Sequence, residues 1–146
     1  MTKNNIELHW QYDKKDCLFH AEKIRSIIVE ILNQLQLEFD HLAFIFVDDD
    51  YLRQLHKKYL NDDSLTDVIT FDLRDEESNE GEIYVSVDRA EAVARELSIE
   101  HETEILRYII HGILHLGGYD DKTTEERTVM KREENKLVDR YKNMLE

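Results

Sequence analysis

Proline is absent from this sequence, and glycine and cysteine are scarce, at four and one residues in 146. With no proline, and with Gly112, Gly117 and Gly118 gathered in one segment, nothing marks a linker or a boundary. The length suits a single domain, residues 1–146. The lone thiol, Cys17, excludes an intramolecular disulfide and a cysteine-ligated metal cluster, and it fits a reducing compartment. At the start of a predicted helix it reads as a small apolar residue, not a nucleophile. No apolar run approaches the roughly 20 residues of a membrane helix. The N-terminal MTKNNIELHW lacks the apolar stretch of a secretory signal, so the expectation is a cytoplasmic protein with no membrane partner. Positive charge is scarce too: 19 Lys and Arg stand against 33 Asp and Glu, a formal net charge of −14. A general nucleic-acid binder needs the opposite balance, and DNA is not an expected partner. Any polyanion would have to meet a local cluster of cations or arrive with a partner's help.

What is present is periodicity. Ile6, Leu8, Trp10 and Tyr12 share one face of a predicted strand. From Leu18 to Leu37, Ile24, Ile27, Ile28, Ile31, Leu32 and Leu35 form one stripe of an amphipathic helix. Leu42 to Val47 is a short apolar run of strand formers, and one of Asp48, Asp49 and Asp50 caps a helix from Tyr51 to Leu60. Thr66–Leu73 and Glu82–Val87 alternate as strands around an acidic loop. Asp88 with Glu91 reads as a capping box for a helix to Leu97. Glu102–Leu116 is a helix closed by Gly117-Gly118, and Thr123-x-x-Glu126 caps a last helix through Met130, Leu137, Val138 and Tyr141. The order β-α-β-α-β-β-α-α-α predicts an α+β domain, with about four strands in one mixed sheet packed by about five helices.

The chemistry concentrates between His111 and Asp121. His111 and His115 are four apart on a predicted helix, so both imidazoles lie on one face and reach one cation. Ile105, Leu106, Ile109, Ile110, Ile113 and Leu114 cover the other side, and histidines beside a buried surface need partners. The glycine pair ends the helix and lets Asp121 swing back. Two imidazoles and a carboxylate are a three-ligand set for a catalytic zinc with one open position; nickel or iron would accept the same donors. Asp120 competes with Asp121 for the ligand role, and it is also a candidate for orienting a histidine. As bland readings, Asp121 would be a loop acid or a helix cap, and the histidine pair a chance spacing. The H-E-x-x-H zinc peptidases share this scaffold, but Gly112 stands where their glutamate base belongs.

The segment His111 to Asp120 is similar at every specified position to H-G-x-L-H-L-x-G-Y-D, the signature of the YbeY-type endoribonuclease family. Thr66-Asp67-Val68-Ile69-Thr70-Phe71 resembles that family's T-[DN]-V-L-S-F strand, and Gly81-Glu82-Ile83 its G-D-[IL] strand start. The resemblance implies a metal-dependent, single-strand-specific endoribonuclease acting in small-subunit rRNA 3′-end maturation and ribosome quality control. Its partners would be ribosomal RNA and the small ribosomal subunit, while the acidic surface makes basic ribosomal proteins further candidates. It implies metal ligation by His111 and His115, and by Asp121 where the family has a third histidine. Thr70 stands for the family serine and keeps its hydroxyl as a substrate-binding candidate. The family arginine of a Y-R pair is replaced by Leu60 after Tyr59, so a phosphate-binding cation must come from elsewhere, with Lys57, Lys58 and Arg74 as candidates. A non-catalytic ribosome-assembly factor with a structural metal is the rival reading, and a zinc peptidase the third.

Overall fold

The computed structural model describes residues 4–11, 21–60 and 66–145. Tyr12, Cys17 and the predicted helix start at Leu18 lie outside the described residues, as does the side chain of Leu60. The elements are β1 (Asn4–Trp10), α1 (Ala21–Leu35), β2 (Phe39–Val47), α2 (Asp49–Leu60), β3 (Val68–Asp72), β4 (Glu80–Ser86), α3 (Val87–Leu97), α4 (His101–Leu116) and α5 (Thr124–Tyr141), with a 3-10 turn at Lys142–Leu145. The expected α+β architecture is the observed one.

The strands form one sheet in the order β1-β2-β4-β3. β1, β2 and β4 run parallel, and β3 lies antiparallel on β4 with Val68 opposite Val85 and Thr70 opposite Ile83. β2 is central, which explains its unbroken apolar run: Leu42, Phe44 and Phe46 point into one helical layer, Ile45 and Val47 into the other. The larger core joins α1, α4 and α5 to one face; the smaller one holds Leu52 of α2 against Ile45, Val47 and Ile69. In α1, Ile24, Ile27, Ile28, Ile31 and Leu32 are fully buried. Burying such a side chain stabilises by about 1.5–3 kcal/mol. The helix-propensity penalty of isoleucine is well under about 1 kcal/mol, so packing decides the conformation.

The starts of α2, α3 and α5 are specified by short polar residues. Asp48 Oδ1 accepts from the Tyr51 amide at 2.8 Å, so Asp48 is the cap among the three aspartates. At α5, Thr123 and Glu126 form the predicted reciprocal capping box. The box expected at Asp88 and Glu91 does not form. β4 runs directly into α3, and the cap is Ser86, whose Oγ accepts from the Arg89 amide at 3.0 Å. Asp88 is used one element away, accepting from the Asp49 amide at the start of α2 at 3.0 Å.

Candidate metal centre

The buried stripe of α4, with Ile109, Ile110, Ile113 and Leu114 fully inaccessible, fixes the rotation of the helix. That places His111 and His115 half-buried at the border of the core, their ring centroids 6.1 Å apart and tilted by 48°. The helix stops where Gly117 donates back to Ile113 and Leu114 and Gly118 takes φ +102°, a conformation nearly free of cost only for glycine. The reversed chain is pinned by the Tyr119 amide on the Leu114 carbonyl at 3.0 Å. It returns two carboxylates to the histidine face. His115, Asp120 and Asp121 each offer a ligand atom, all within 4.8 Å of one another. His111 joins this group through Asp121, whose Oδ2 is 3.7 Å from His111 Nε2. The structure thus gathers the three predicted ligand residues and adds Asp120 to the cluster.

The protonation of the histidines follows from their other ring nitrogens. His115 Nδ1 lies 2.8 Å from the Tyr119 carbonyl oxygen. A carbonyl can only accept, so Nδ1 carries the proton and Nε2 keeps its lone pair. His111 Nδ1 lies 2.5 Å from Glu134 Oε2, again leaving Nε2 toward the aspartates. Imidazoles anchored through Nδ1–H in this way are set to bind a cation through Nε2. Nitrogen and carboxylate donors together suit zinc, nickel or iron, so the residues present fit a divalent ion. Of the two roles open to Asp120, orienting a histidine is not the one its contacts support, since Tyr119 and Glu134 hold those positions. Its Oδ1 instead accepts from the Asp121 amide at 3.0 Å, which tightens the turn.

Glu134 was not anticipated, although the sequence carries a signal for it. It is an acid on the stripe Met130, Leu137, Val138, Tyr141 of α5, and it is 5 % exposed. Burial pushes Glu134 upward, but the hydrogen bond and charge of His111, with Lys131 and Arg107, outweigh it and hold the carboxyl below its usual range. Burial likewise pushes His111 down, but Glu134, with Asp67 and Asp121, turns the net shift upward. In metal-free protein each partner therefore favours the charged form of the other. The raised histidine gives stability that is full below its unfolded pKa and lost as pH rises through the folded one. The depressed carboxylate gives stability present above its unfolded pKa and lost as pH falls. Melting temperatures of chelated protein are expected to peak between the ordinary carboxylate and histidine values and to decline on the alkaline side. His111→Gln should flatten that alkaline limb; a limb of unchanged slope would remove His111 as its source.

Two clefts meet at Asp121. One, of about 280 Å³, is lined by His111, Glu134, Asp67, Glu104, Arg107 and Tyr108, with Arg127 and Lys131 at its rim. The other, of about 530 Å³, is lined by His115, Asp120, Lys122, Thr70 and Asp72. β3 thus brings Thr70 beside His115. Arg74 stands behind the wall of this second cleft: it pairs with Asp72 at 2.6 Å and donates to the Leu116 carbonyl at 2.7 Å, fastening the last turn of α4 to the sheet edge. Lys57 and Lys58 lie at the end of α2, against the opposite face of the sheet, and Lys58 sits 5.2 Å from the Tyr59 ring. Among the described residues, none of the three candidate cations lines either cleft.

A profile of the family Endoribonuclease YbeY matches residues 9–142 of the chain. A protein of Christiangramia forsetii named Endoribonuclease YbeY is 39% identical over 139 residues, 94% of this chain and 95% of the relative. One of the same name from Amoebophilus asiaticus is 38% identical over 135 residues, 92% and 91% of the two chains. Among solved structures, the solution structure of a Thermotoga maritima protein aligns with a TM-score of 0.66 at 32% identity, covering 92% of this chain and 87% of that one. No helix among the described residues is long and apolar enough to cross a membrane.

Proposed function

The chain belongs to the endoribonuclease YbeY family, and on that premise we propose that it is a zinc-dependent, single-strand-specific endoribonuclease. Its proposed work is maturation of the small-subunit rRNA 3′ end and ribosome quality control in the cytoplasm. The small ribosomal subunit is its partner, and its acidic surface faces basic ribosomal proteins. The observation that carries the reading is the convergence of two Nδ1-anchored histidines and two aspartates where two clefts meet. His111, His115, Asp120 and Asp121 are the residues that would hold the ion, with nickel or iron as alternatives. A divalent ion supplies Lewis acidity toward a phosphoryl oxygen and lowers the pKa of a bound water. The protein's own part is orientation. Glu134 and the Tyr119 carbonyl fix the imidazoles, and Thr70, which lines the same cleft as His115, would offer its hydroxyl to RNA.

The peptidase reading fails on packing as well as chemistry. A Cβ at Gly112 would lie 2.7 Å from Ile83 Cγ2, so a side chain there is driven into the sheet and a glutamate base has no place to stand. The test of the nuclease reading is cleavage of an rRNA precursor with a single-stranded 3′ tail. Zinc-loaded protein would be run beside chelated protein and an identically purified His111→Ala protein. Cutting by the loaded wild type alone is the expected result. One metal bound per chain with no cutting would favour the non-catalytic assembly factor.

A further inference from the structure

A chain with a formal net charge of −14 still has to approach a polyanion if it cuts RNA, and the structure holds one surface where that charge balance is reversed. α5 carries Arg127, Lys131, Arg132 and Lys136 on one open face, with hydroxyl and amide donors between them and one carboxylate, Asp139, at its far end. The face is continuous with the metal cleft, since Arg127 and Lys131 line both. Arg127 also donates to the carbonyls of Asp121 and Lys122, at 3.1 and 3.2 Å, so the basic face is fastened to the loop that carries the metal-site aspartates. The charge of Lys131 is felt by Glu104 and Glu134 in the cleft. Among the described residues, Arg132 and Lys136 pair with the half-buried carboxylate of Glu133, at 3.9 and 3.4 Å. Surface ion pairs of that kind contribute roughly 0–1 kcal/mol, so they are readily exchanged for phosphate.

We propose that this face of α5 is the track along which the backbone of single-stranded RNA runs away from the metal centre. Arg127 to Lys136 is nine helical steps, about 14 Å at about 1.5 Å each, long enough for the cations to meet more than one backbone phosphate of a single strand. The lining offers cations and donors but no aromatic platform, so the track holds backbone without reading bases. This inference rests on the nuclease reading for its ligand, while its test does not need cleavage.

The test is fluorescence anisotropy of a labelled 20-nucleotide polyuridine RNA, with chelator present, across a salt series. The proteins are wild type, Lys131→Ala/Arg132→Ala/Lys136→Ala, and a charge-matched control, Lys23→Ala/Arg53→Ala/Arg95→Ala, placed on other helices. The three track positions are exposed, and unchanged melting would verify the fold. The track variant is expected to bind at least tenfold more weakly. Its slope of log affinity against log salt should be shallower by about 2, since each lost single-strand phosphate contact removes about 0.7. The control should bind as wild type does. In cleavage, the track variant should raise KM. Equal affinity and slope for wild type and track variant would overturn the proposal. So would an equal loss of binding to labelled polyglutamate, which would make the face a site for acidic proteins. RNA binding lost in the track variant, in a protein that never cuts, would sustain the track and sink the nuclease reading.

Discussion

His111→Ala is expected to lower metal-dependent RNA cleavage by at least about a thousandfold, while Glu134→Gln lowers metal affinity by about 10–100-fold and leaves most of kcat when metal saturates. The two substitutions act on the same imidazole at different depths. Alanine at 111 deletes the nitrogen that faces Asp121 Oδ2 at 3.7 Å, so the ion loses a donor and several kcal/mol of Lewis-acid stabilisation. Glutamine at 134 keeps the shape of a nearly fully buried side chain and can still accept from His111 Nδ1. It removes the charge that makes His111 a stronger donor to a cation, and it offers an amide that competes for the wrong ring tautomer. Arg107 Nη1, 3.4 Å from Glu134 Oε1, loses its partner as well, although Asn135 Oδ1 still accepts from it at 2.7 Å. Zinc affinity measured by competition with a chromophoric chelator separates the two effects from cleavage rates. Cleavage retained by His111→Ala would remove this histidine from the chemistry. An unchanged Kd in Glu134→Gln would mean that the buried carboxylate serves the α4–α5 contact and not the ion.

That gradation also shows what was legible in the sequence. The i, i+4 histidines, the glycine stop and the returning Asp121 are local pattern, so helical geometry alone places them together. β2 and α1 were equally plain, because an unbroken run of strand formers and a six-residue stripe each leave few alternatives. Glu134 was harder. It is 23 residues from His111, and only the packing of α5 on α4 brings them into contact; the visible sign was an acid on an apolar stripe. The α3 cap was misread because Asp88-x-x-Glu91 fits the motif, yet β4 passes into α3 without a loop, and Ser86 ends one element while capping the next. Arg74 is a candidate for a phosphate in the sequence only because Leu60 stands where the family arginine belongs. The carbonyl at the end of α4 that employs it is 42 residues away in sequence. In each case the missing information was a tertiary partner, not a local preference.

Gly112→Glu, the change that would complete a peptidase motif, is expected to abolish the folded state instead of conferring peptidase activity. α4 crosses β4 so closely that a Cβ at 112 would meet Ile83 at 2.7 Å (Cγ2) and 2.9 Å (Cδ1). Ile83 is fully buried and is held in register between Phe44 and Thr70, so it cannot swing aside. For Gly112→Ala, a helix-propensity gain of about 1 kcal/mol opposes an overpacking cost of about 1–3 kcal/mol. With β-branched carbon at the contact the cost should win, giving a net loss of up to about 2 kcal/mol and a melting temperature lower by up to several degrees. Glutamate adds several more atoms and a carboxylate with no partner in an apolar layer, which approaches the whole stability of a domain this size. The origin of the effect can be isolated by a double-mutant cycle. Ile83→Ala alone should cost about 2–5 kcal/mol, but Gly112→Ala in the Ile83→Ala background should cost little or stabilise, a coupling of at least about 1 kcal/mol. Additive losses would place the strain elsewhere on α4. A Gly112→Glu protein that melts like wild type would show that α4 can rise off the sheet, and with it that the spacing of His111, His115 and the aspartates is not set by this contact.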